Sequence, residues 1–160
     1  MLIANPGKIT RPKKWKLAAL LMAIFIAAAV PAPMASAGIS TIKAHIAKLH
    51  NNRGQVICTL FAPSDKFPEH GRKGMTIAVP IQNRQATCNF ANIQYGDYAI
   101  VAFHDENHDG NFNQNWIGMP REGFGFSGNP SILKKPTFND ARFSVSQPLV
   151  QITIKLNYWL

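Results

Sequence analysis

The segment "QYGDYAIVAFHDE", residues 94–106, is the clearest indication of the fold in this sequence. A Gly-Asp pair at 96–97 marks a turn, and the six residues that follow it are almost continuously apolar. A short apolar run bounded by turn signals is typical of a strand inside a β-sheet protein. The stretch therefore predicts an inner strand from Tyr98 to Phe103.

The segments on either side predict further strands. "TIKAHIAKL" (41–49) places its isoleucines on one face and Lys43 and His45 on the other, and "LVQITIKLNYWL" (149–160) alternates in the same way. Turn-forming residues separate the segments, and no long amphipathic helix is predicted. Six or seven short strands of this kind predict an all-β protein with one antiparallel β-sandwich. The other predicted strands lie within 55–62, 75–82, 83–93 and 136–146.

The first 37 residues resemble an export signal. A basic segment, "RPKKWK" (11–16), precedes an apolar run (17–30), and "ASA" (35–37) follows as a small-residue cleavage site. This order is typical of a secretory signal peptide. An uncleaved anchor is the alternative, but the run is shorter than the about 20 residues of a spanning helix. We therefore predict cleavage after Ala37, no transmembrane segment in the mature chain, and a β-sandwich domain at 38–160 in the periplasm or outside the cell.

The net charge of the chain comes largely from its first 37 residues. The whole sequence has a formal charge of +9, but five of its 17 Lys and Arg precede residue 38, whereas all eight Asp and Glu follow it. The predicted mature chain therefore carries +4 and has no dense basic run, which argues against nucleic acid as a partner. The partner stays unknown, and an envelope surface or another exported protein is compatible with this charge.

The two cysteines, Cys58 and Cys88, both lie in predicted strands. An exported domain meets an oxidising compartment, where a disulfide is stable. The chain has no C-x-x-C spacing that would favour a metal site or a redox motif. Sequence spacing does not supply the geometry that a disulfide needs, so a disulfide and two buried thiols remain open alternatives.

A long polar segment follows the inner strand, and its acids have the spacing of a calcium loop. Asp105, Asn107 and Asp109 alternate and are followed by Gly110. Calcium binds six to eight oxygen ligands, and a run of the form D-x-N-x-D-G directs alternate residues to a common centre. The match to an EF-hand loop ends at its twelfth position, which is Trp116 where a bidentate Glu is needed. The candidate calcium ligands are Asp105, Asn107, Asp109, Asn111 and Asn113.

Two other interpretations of this segment stay open. Asp, Asn and Gly are also turn formers, whose side chains cap the backbone of their own loop. A transition metal bound by His104 and His108 is the second alternative, although the two are not on a helix and share no face. Glu122 is the nearest later carboxylate, and it closes a calcium site only if the loop folds back.

The second half of the polar segment, "WIGMPREGFGFS" (116–127), alternates glycines with large rings. Glycine lets the backbone pack closely while neighbouring rings hold it. We therefore expect Trp116, Glu122, Phe124 and Phe126 to anchor the loop to the end of the sandwich. Exposed loops on rigid sandwiches often carry binding, so a rim for a ligand or partner is the alternative.

An enzymatic function has weaker support. Ser127 does not lie in a G-x-S-x-G elbow, so a hydrolase that uses the 104–128 loop with His104 and Ser127 remains only an alternative. Glu106 and Glu122 could serve as a glycosidase pair, but the sequence does not establish their separation. We assign no catalytic residue.

The chain resembles a bacterial family, the domain of unknown function 2141 family. The resemblance rests on "GDYAIVAFHDENHDGNFNQNWIGMPREGFGFSGNP" (96–130), "PTFNDARFSV" (136–145) and "ITIKLNY" (152–158). It implies an exported β-sandwich of the immunoglobulin-like or transthyretin-like kind, and it implies no activity. The family often has Asp where this chain has Asn113, so one candidate ligand is weaker here.

Overall fold

The structure of the protein is a computed structural model that describes residues 38–68 and 74–159. The predicted signal peptide, 1–37, lies outside the described residues. Eight strands and one turn of helix follow each other along the described chain. They are β1 (Ile39–Ala47), β2 (Gln55–Phe61), β3 (Met75–Pro80), β4 (Ala86–Gln94), β5 (Gly96–Asp105), β6 (Phe124–Phe126), α1 (Phe138–Ala141), β7 (Phe143–Val145) and β8 (Leu149–Lys155).

The strands form two sheets that pack around a shared core. One sheet has the order β4-β1-β8, and the other has the order β3-β2-β5-β6, with β7 also paired to β5. Ile42 and Phe90 from the first sheet lie in the same buried cluster as Val56 and Ile100 from the second. Burial of apolar side chains between the sheets is the main stabilising contribution. The predicted all-β sandwich is confirmed.

The predicted faces of the terminal strands are also correct, but the direction of one pairing is not. In β8, Val150 and Ile154 are buried while Gln151 is exposed, which matches the alternation. However, β1 pairs with β8 in parallel, with Ile42 opposite Val150, so this sheet is mixed and not wholly antiparallel. Alternation reports only which face a side chain takes, and both kinds of pairing share it.

The segment 136–146, predicted as one strand, is divided in the structure. Phe138–Ala141 forms a turn of helix and only Phe143–Val145 is a strand. Thr137 caps the helix: the backbone N–H of Asp140 bonds to its hydroxyl at 3.4 Å, and the backbone N–H of Thr137 donates to the Asp140 carboxylate at 2.8 Å. This reciprocal capping box, encoded by T-F-N-D, stabilises a helix start where the apolar pattern predicted a strand.

A disulfide joins the two sheets through the core. It links Cys58 on β2 to Cys88 on β4, with 6.5 Å between the two Cα atoms. Both cysteines are fully buried. Of the two alternatives that the sequence left open, the structure therefore has the disulfide.

Candidate functional site

The candidate site begins at the buried end of β5. Asp105, the last residue of that strand, is 0% exposed although it is an acid. Its carboxylate accepts hydrogen bonds from the side-chain amide of Gln55 at 2.8 Å, from the backbone N–H of Gly110 at 2.9 Å and from that of Asp109 at 3.1 Å. The chain after β5 therefore curls around a carboxylate that the sandwich holds in place.

The hydrogen bonds also determine the ionisation of Asp105. Burial by itself raises its pKa, but the donors from Gln55, Gly110 and Asp109 outweigh burial and leave the pKa below its ordinary value. Hydrogen bonds to the charged form are known to have this effect. Asp105 is therefore a carboxylate, and not a carboxylic acid, at neutral pH.

The outer part of the loop brings several oxygens and two amide groups together. The side-chain amide nitrogens of Asn107 and Asn113 lie 2.8 and 3.0 Å from the Asp109 carboxylate oxygen Oδ2. The Asn113 amide also lies 3.1 Å from the backbone carbonyl oxygen of Asn111. Gly110 permits this curl with a φ of +76°, a left-handed conformation that glycine adopts easily. The loop therefore closes on itself, as the self-capping alternative predicts.

Glu122 folds back onto this loop. Its carboxylate accepts a hydrogen bond from the backbone N–H of Asn113 at 2.9 Å, and the backbone N–H of Arg121 donates to the Asn113 carbonyl at 3.0 Å. Glu122 is only 5% exposed. Burial, and then the charges of Asp105 and Asp109, raise its pKa above the ordinary value, while the backbone N–H groups of Asn113 and Glu106 oppose this in part.

The three carboxylates form no ion pair within the described part of the chain. None of the ion pairs among the described residues includes Asp105, Asp109 or Glu122. Residues 38–68 and 74–159 also contain no cluster of three His, Cys, Asp or Glu side chains arranged to hold a metal. Any cation at this loop would therefore rely on amide and backbone oxygens as well as carboxylates.

Phe112, a residue that the sequence analysis missed, packs the loop against the sandwich. Its ring centre lies 5.5 Å from that of Phe103 on β5 and 5.6 Å from that of Phe124 on β6. Phe126 is buried beside Phe124. The prediction that Trp116 anchors the loop is wrong, because its ring is 95% exposed. The signal for Phe112 was its place as the one apolar residue within the polar half of the loop.

Gly123 has no room for a side chain. A Cβ atom on Gly123 would lie 2.2 Å from the ring of Tyr158, well inside contact distance. Tyr158 in turn bonds to His104: its hydroxyl lies 2.8 Å from Nδ1 of the histidine. Burial, followed by the charge of Glu106, raises the pKa of Tyr158 to about 12, so it is a neutral hydrogen-bond donor at physiological pH.

His104 is a structural histidine in this arrangement. Its Nε2 lies 2.8 Å from the carbonyl oxygen of Arg53, which can only accept, so Nε2 carries the proton. Nδ1 then accepts from Tyr158. Both ring nitrogens of His104 are thus hydrogen-bonded. His108 lies on the exposed loop and shares no site with His104. The two histidines are not brought together for a transition metal.

The residues of the hydrolase alternative are also separated. The hydroxyl of Ser127 accepts from the backbone N–H of Ile100 at 2.8 Å and donates to the carbonyl of Ala141. Ile100 and His104 are four residues apart on β5, which places them roughly 13 Å apart along the strand. The carboxylate of Glu106 binds Asn51 and Arg53, whereas that of Glu122 binds Asn113. The structure therefore does not assemble the His104–Ser127 pair, whereas the Glu122 carboxylate lies close to the backbone of Glu106.

Ser127 is instead expected to stabilise the fold. Replacing Ser127 by Ala leaves the N–H of Ile100 and the carbonyl of Ala141 without this partner, and both lie beside fully buried side chains. Unsatisfied buried groups of this kind cost about 1–3 kcal/mol. We expect urea denaturation to show a loss of about 2 kcal/mol. Ser144→Ala, which removes an exposed hydroxyl, is the control, and an equal effect of both would contradict this role.

The comparisons with known proteins agree with the resemblance drawn from the motifs. A family model described as "Uncharacterized protein conserved in bacteria (DUF2141)" matches residues 44–153. No curated protein and no solved structure matches the chain significantly. Among the described residues, no helix has the length and apolarity to cross a membrane.

Proposed function

Because the chain belongs to the DUF2141 family of uncharacterised bacterial proteins, whose description assigns no activity, we propose its function from the loop itself. The protein is an exported binding module whose loop at residues 105–122 takes up a calcium ion. The observation that carries this proposal is the set of three carboxylates, two of them buried, that form no ion pair with any described residue. Burying charges without compensation is costly, and a divalent cation would offset that cost.

The ligand chemistry favours calcium. Asp109 Oδ2 and the Asn111 carbonyl oxygen already lie beside the Asn113 amide. A half-turn of the Asn107 and Asn113 side-chain amides would place their oxygens where their nitrogens now lie. Oxygen ligands of mixed carboxylate, amide and carbonyl type suit calcium better than a transition metal. Glu122, which reaches the loop from nine residues beyond Asn113, stands in for the missing acidic ligand at position 116.

Export is the second element of the proposal. The order of basic, apolar and small residues in 1–37 supports it. The disulfide between Cys58 and Cys88 supports it independently, because such bonds persist mainly in oxidising compartments. The measurement is mass spectrometry of the protein from periplasmic and extracellular fractions, with a chain that starts near Gly38 as the expected result.

Calcium is expected to bind the chain that lacks residues 1–37 and to raise its melting temperature. The two sheets, the disulfide and both core clusters lie within residues 38–159, so this chain keeps the folded unit. Calcium at one hundred times its dissociation constant would stabilise the fold by about 2.7 kcal/mol. Isothermal calorimetry with calcium chloride and thermal melts with and without chelator are the measurements. The proposal is wrong if calorimetry detects no heat of binding and calcium does not shift the melting temperature.

Glu122→Gln separates calcium binding from a merely structural role. Glutamine keeps an oxygen that accepts from Asn113 but removes a charge from beside Asp105 and Asp109. The raised pKa of Glu122 means that its charged form opposes folding above that pKa. We therefore expect this variant to melt at a higher temperature in chelator and to lose the response to calcium. Asp97→Asn, at the other end of β5, is the charge-matched control and should keep the response.

A further inference from the structure

Most of the large exposed apolar side chains among the described residues lie in a few short segments. Eight large hydrophobic side chains are exposed among the described residues, and five of them belong to the turn at 115–121, the segment 132–135 or the chain end beside them. Trp116 is 95% exposed and Leu133 is 90% exposed. We call these five exposed side chains the apolar face. The five side chains are Trp116, Ile117, Met119, Leu133 and Trp159.

The two segments border the same groove. An open groove of about 480 Å³ is lined by residues of both segments, among them Met119, Lys134 and Lys135, together with Phe124 and Phe126. Trp159 lines this groove and also the adjoining opening beside Trp116. Trp116, Met119 and Trp159 therefore border two openings that share residues, and an exposed apolar patch on a soluble domain marks an interaction site.

The turn that carries Trp116 and Ile117 is stabilised by hydrogen bonds among its own residues. The side-chain oxygen of Asn115 accepts from the N–H groups of Ile117 at 3.1 Å and Met119 at 2.9 Å. The carbonyl of Asn115 accepts from Gly118 at 2.9 Å, and its N–H donates to Met119 at 2.8 Å. Four N–H groups of the turn are thus satisfied internally. This matters in a lipid environment, where unsatisfied backbone groups are costly.

Three cationic side chains border the groove and the opening beside Trp116. Arg121 borders the opening beside Trp116, and Lys134 and Lys135 border the groove. None of the three takes part in an ion pair among the described residues. Hydrogen bonds from Thr137 are the main cause of the lowered pKa of Asp140, and the charge of Lys134 contributes last. The rim is therefore positive and open to an anionic partner.

We propose that the apolar face docks on the surface of an anionic lipid bilayer. Trp116 and Ile117 enter the interface between headgroups and acyl chains, where Trp is favoured because it has an apolar body and a polar N–H. Arg121, Lys134 and Lys135 contact the anionic headgroups, and basic side chains near such a surface attract it electrostatically. A partner with both an apolar interior and a negative surface matches the two halves of this face.

The docking does not require the calcium site. The side chains that contact lipid are distinct from Asp105, Asp109 and Glu122. The test is therefore carried out in chelator, so that a failure of calcium binding leaves this proposal intact and the reverse also holds.

The experiment uses the chain that lacks residues 1–37 with vesicles of phosphatidylethanolamine and phosphatidylglycerol, and with phosphatidylcholine vesicles as the neutral comparison. Trp116 and Trp159 are the only tryptophans beyond residue 37, so intrinsic fluorescence reports directly on this face. We expect co-sedimentation with the anionic vesicles and a blue shift of the emission. Neutral vesicles should bind much less, since they offer no charge for the lysines.

Two variants with matched controls assign the binding to this face. Trp116→Ala, with Trp159 left as reporter, should weaken partitioning roughly tenfold, because a large exposed ring no longer leaves water. The Lys134→Glu/Lys135→Glu double variant should weaken it by a similar or larger factor through repulsion from the headgroups. Ile39→Ser and the Lys43→Glu/Lys155→Glu pair change exposed side chains elsewhere and should bind as the parent chain does.

Three outcomes would overturn the proposal. The first is no sedimentation and no blue shift with anionic vesicles. The second is binding that the variants at residues 116, 134 and 135 leave unchanged. The third is self-association of the chain, measured by sedimentation velocity, that Trp116→Ala abolishes while vesicles remain unbound, since the face would then join copies of the protein.

Discussion

Replacing Cys58 and Cys88 together by alanine is expected to lower the free energy of unfolding by about 3.5 kcal/mol. The disulfide closes a loop with a sequence separation of 30 residues, and it removes the corresponding freedom from the unfolded chain. For a domain of this size, whose total stability is about 5–15 kcal/mol, that is a large share. The effect is large also because Cys58 and Cys88 join the two sheets covalently through the core.

Guanidinium denaturation of the parent chain and of the double variant measures this loss. The reduced parent chain is the matched control: it keeps both sulfur atoms in the core, and it therefore isolates the missing crosslink from the missing volume. We expect the reduced chain to be less stable than the oxidised chain, and the alanine variant to be the least stable of the three. Equal midpoints for the oxidised and reduced chains would show that the bond contributes nothing.

Asp105→Ala is expected to cost about 3 kcal/mol, the second large effect, because it removes a fully buried acceptor and leaves its three donors without a partner. Asp105→Asn keeps one oxygen and should lose less. Asp109→Asn changes an exposed carboxylate of the same loop and is the control. Thermal melts in chelator exclude any contribution from calcium. An effect of Asp105→Ala no larger than that of Asp109→Asn would contradict the role of Asp105 as the centre of the loop.

The pH dependence of stability gives a second readout for Asp105. Its folded-state pKa lies below the ordinary value of 3.8, so the folded state favours the charged form. The resulting stabilisation is fully present above pH 3.8 and is lost as the pH falls through the lower folded-state pKa. We expect the parent chain to lose stability in acid over this range, and the Asp105→Asn variant to lose less. Identical acid melting curves for the two chains would contradict the assigned pKa direction.

Several features were predictable because they depend on local backbone geometry. Successive side chains of a strand point to opposite faces, so the alternation in 149–160 predicted that Val150 and Ile154 are buried. The apolar run at 98–103 predicted an inner strand, and residues 99–105 are buried between β2 and β6. The spacing of Asp105 and Gly110 predicted a curled loop for the same reason, because turn chemistry acts over a few residues.

Other predictions were wrong where local patterns compete or are silent. The segment 136–146 was predicted as one strand, but the Thr137 cap stabilises a helical turn there. Trp116 was expected as an anchor because large rings are usually buried, yet Phe112 packs against the sandwich and Trp116 does not. The aromatic side chains by themselves do not predict that Phe112 is packed and Trp116 is exposed. Which of them packs depends on where the loop returns to β6.

Local patterns in the sequence predict which faces are apolar, where the loop lies and which oxygens it offers. The whole fold is needed to show that Cys58 meets Cys88, that β1 and β8 run in parallel, and that Glu122 returns to Asn113. The physical reason is the range of the interactions. Alternation and turn chemistry act between near neighbours and are written in the local sequence. Contacts between distant residues depend on the path of the whole chain around its core, which no short pattern contains.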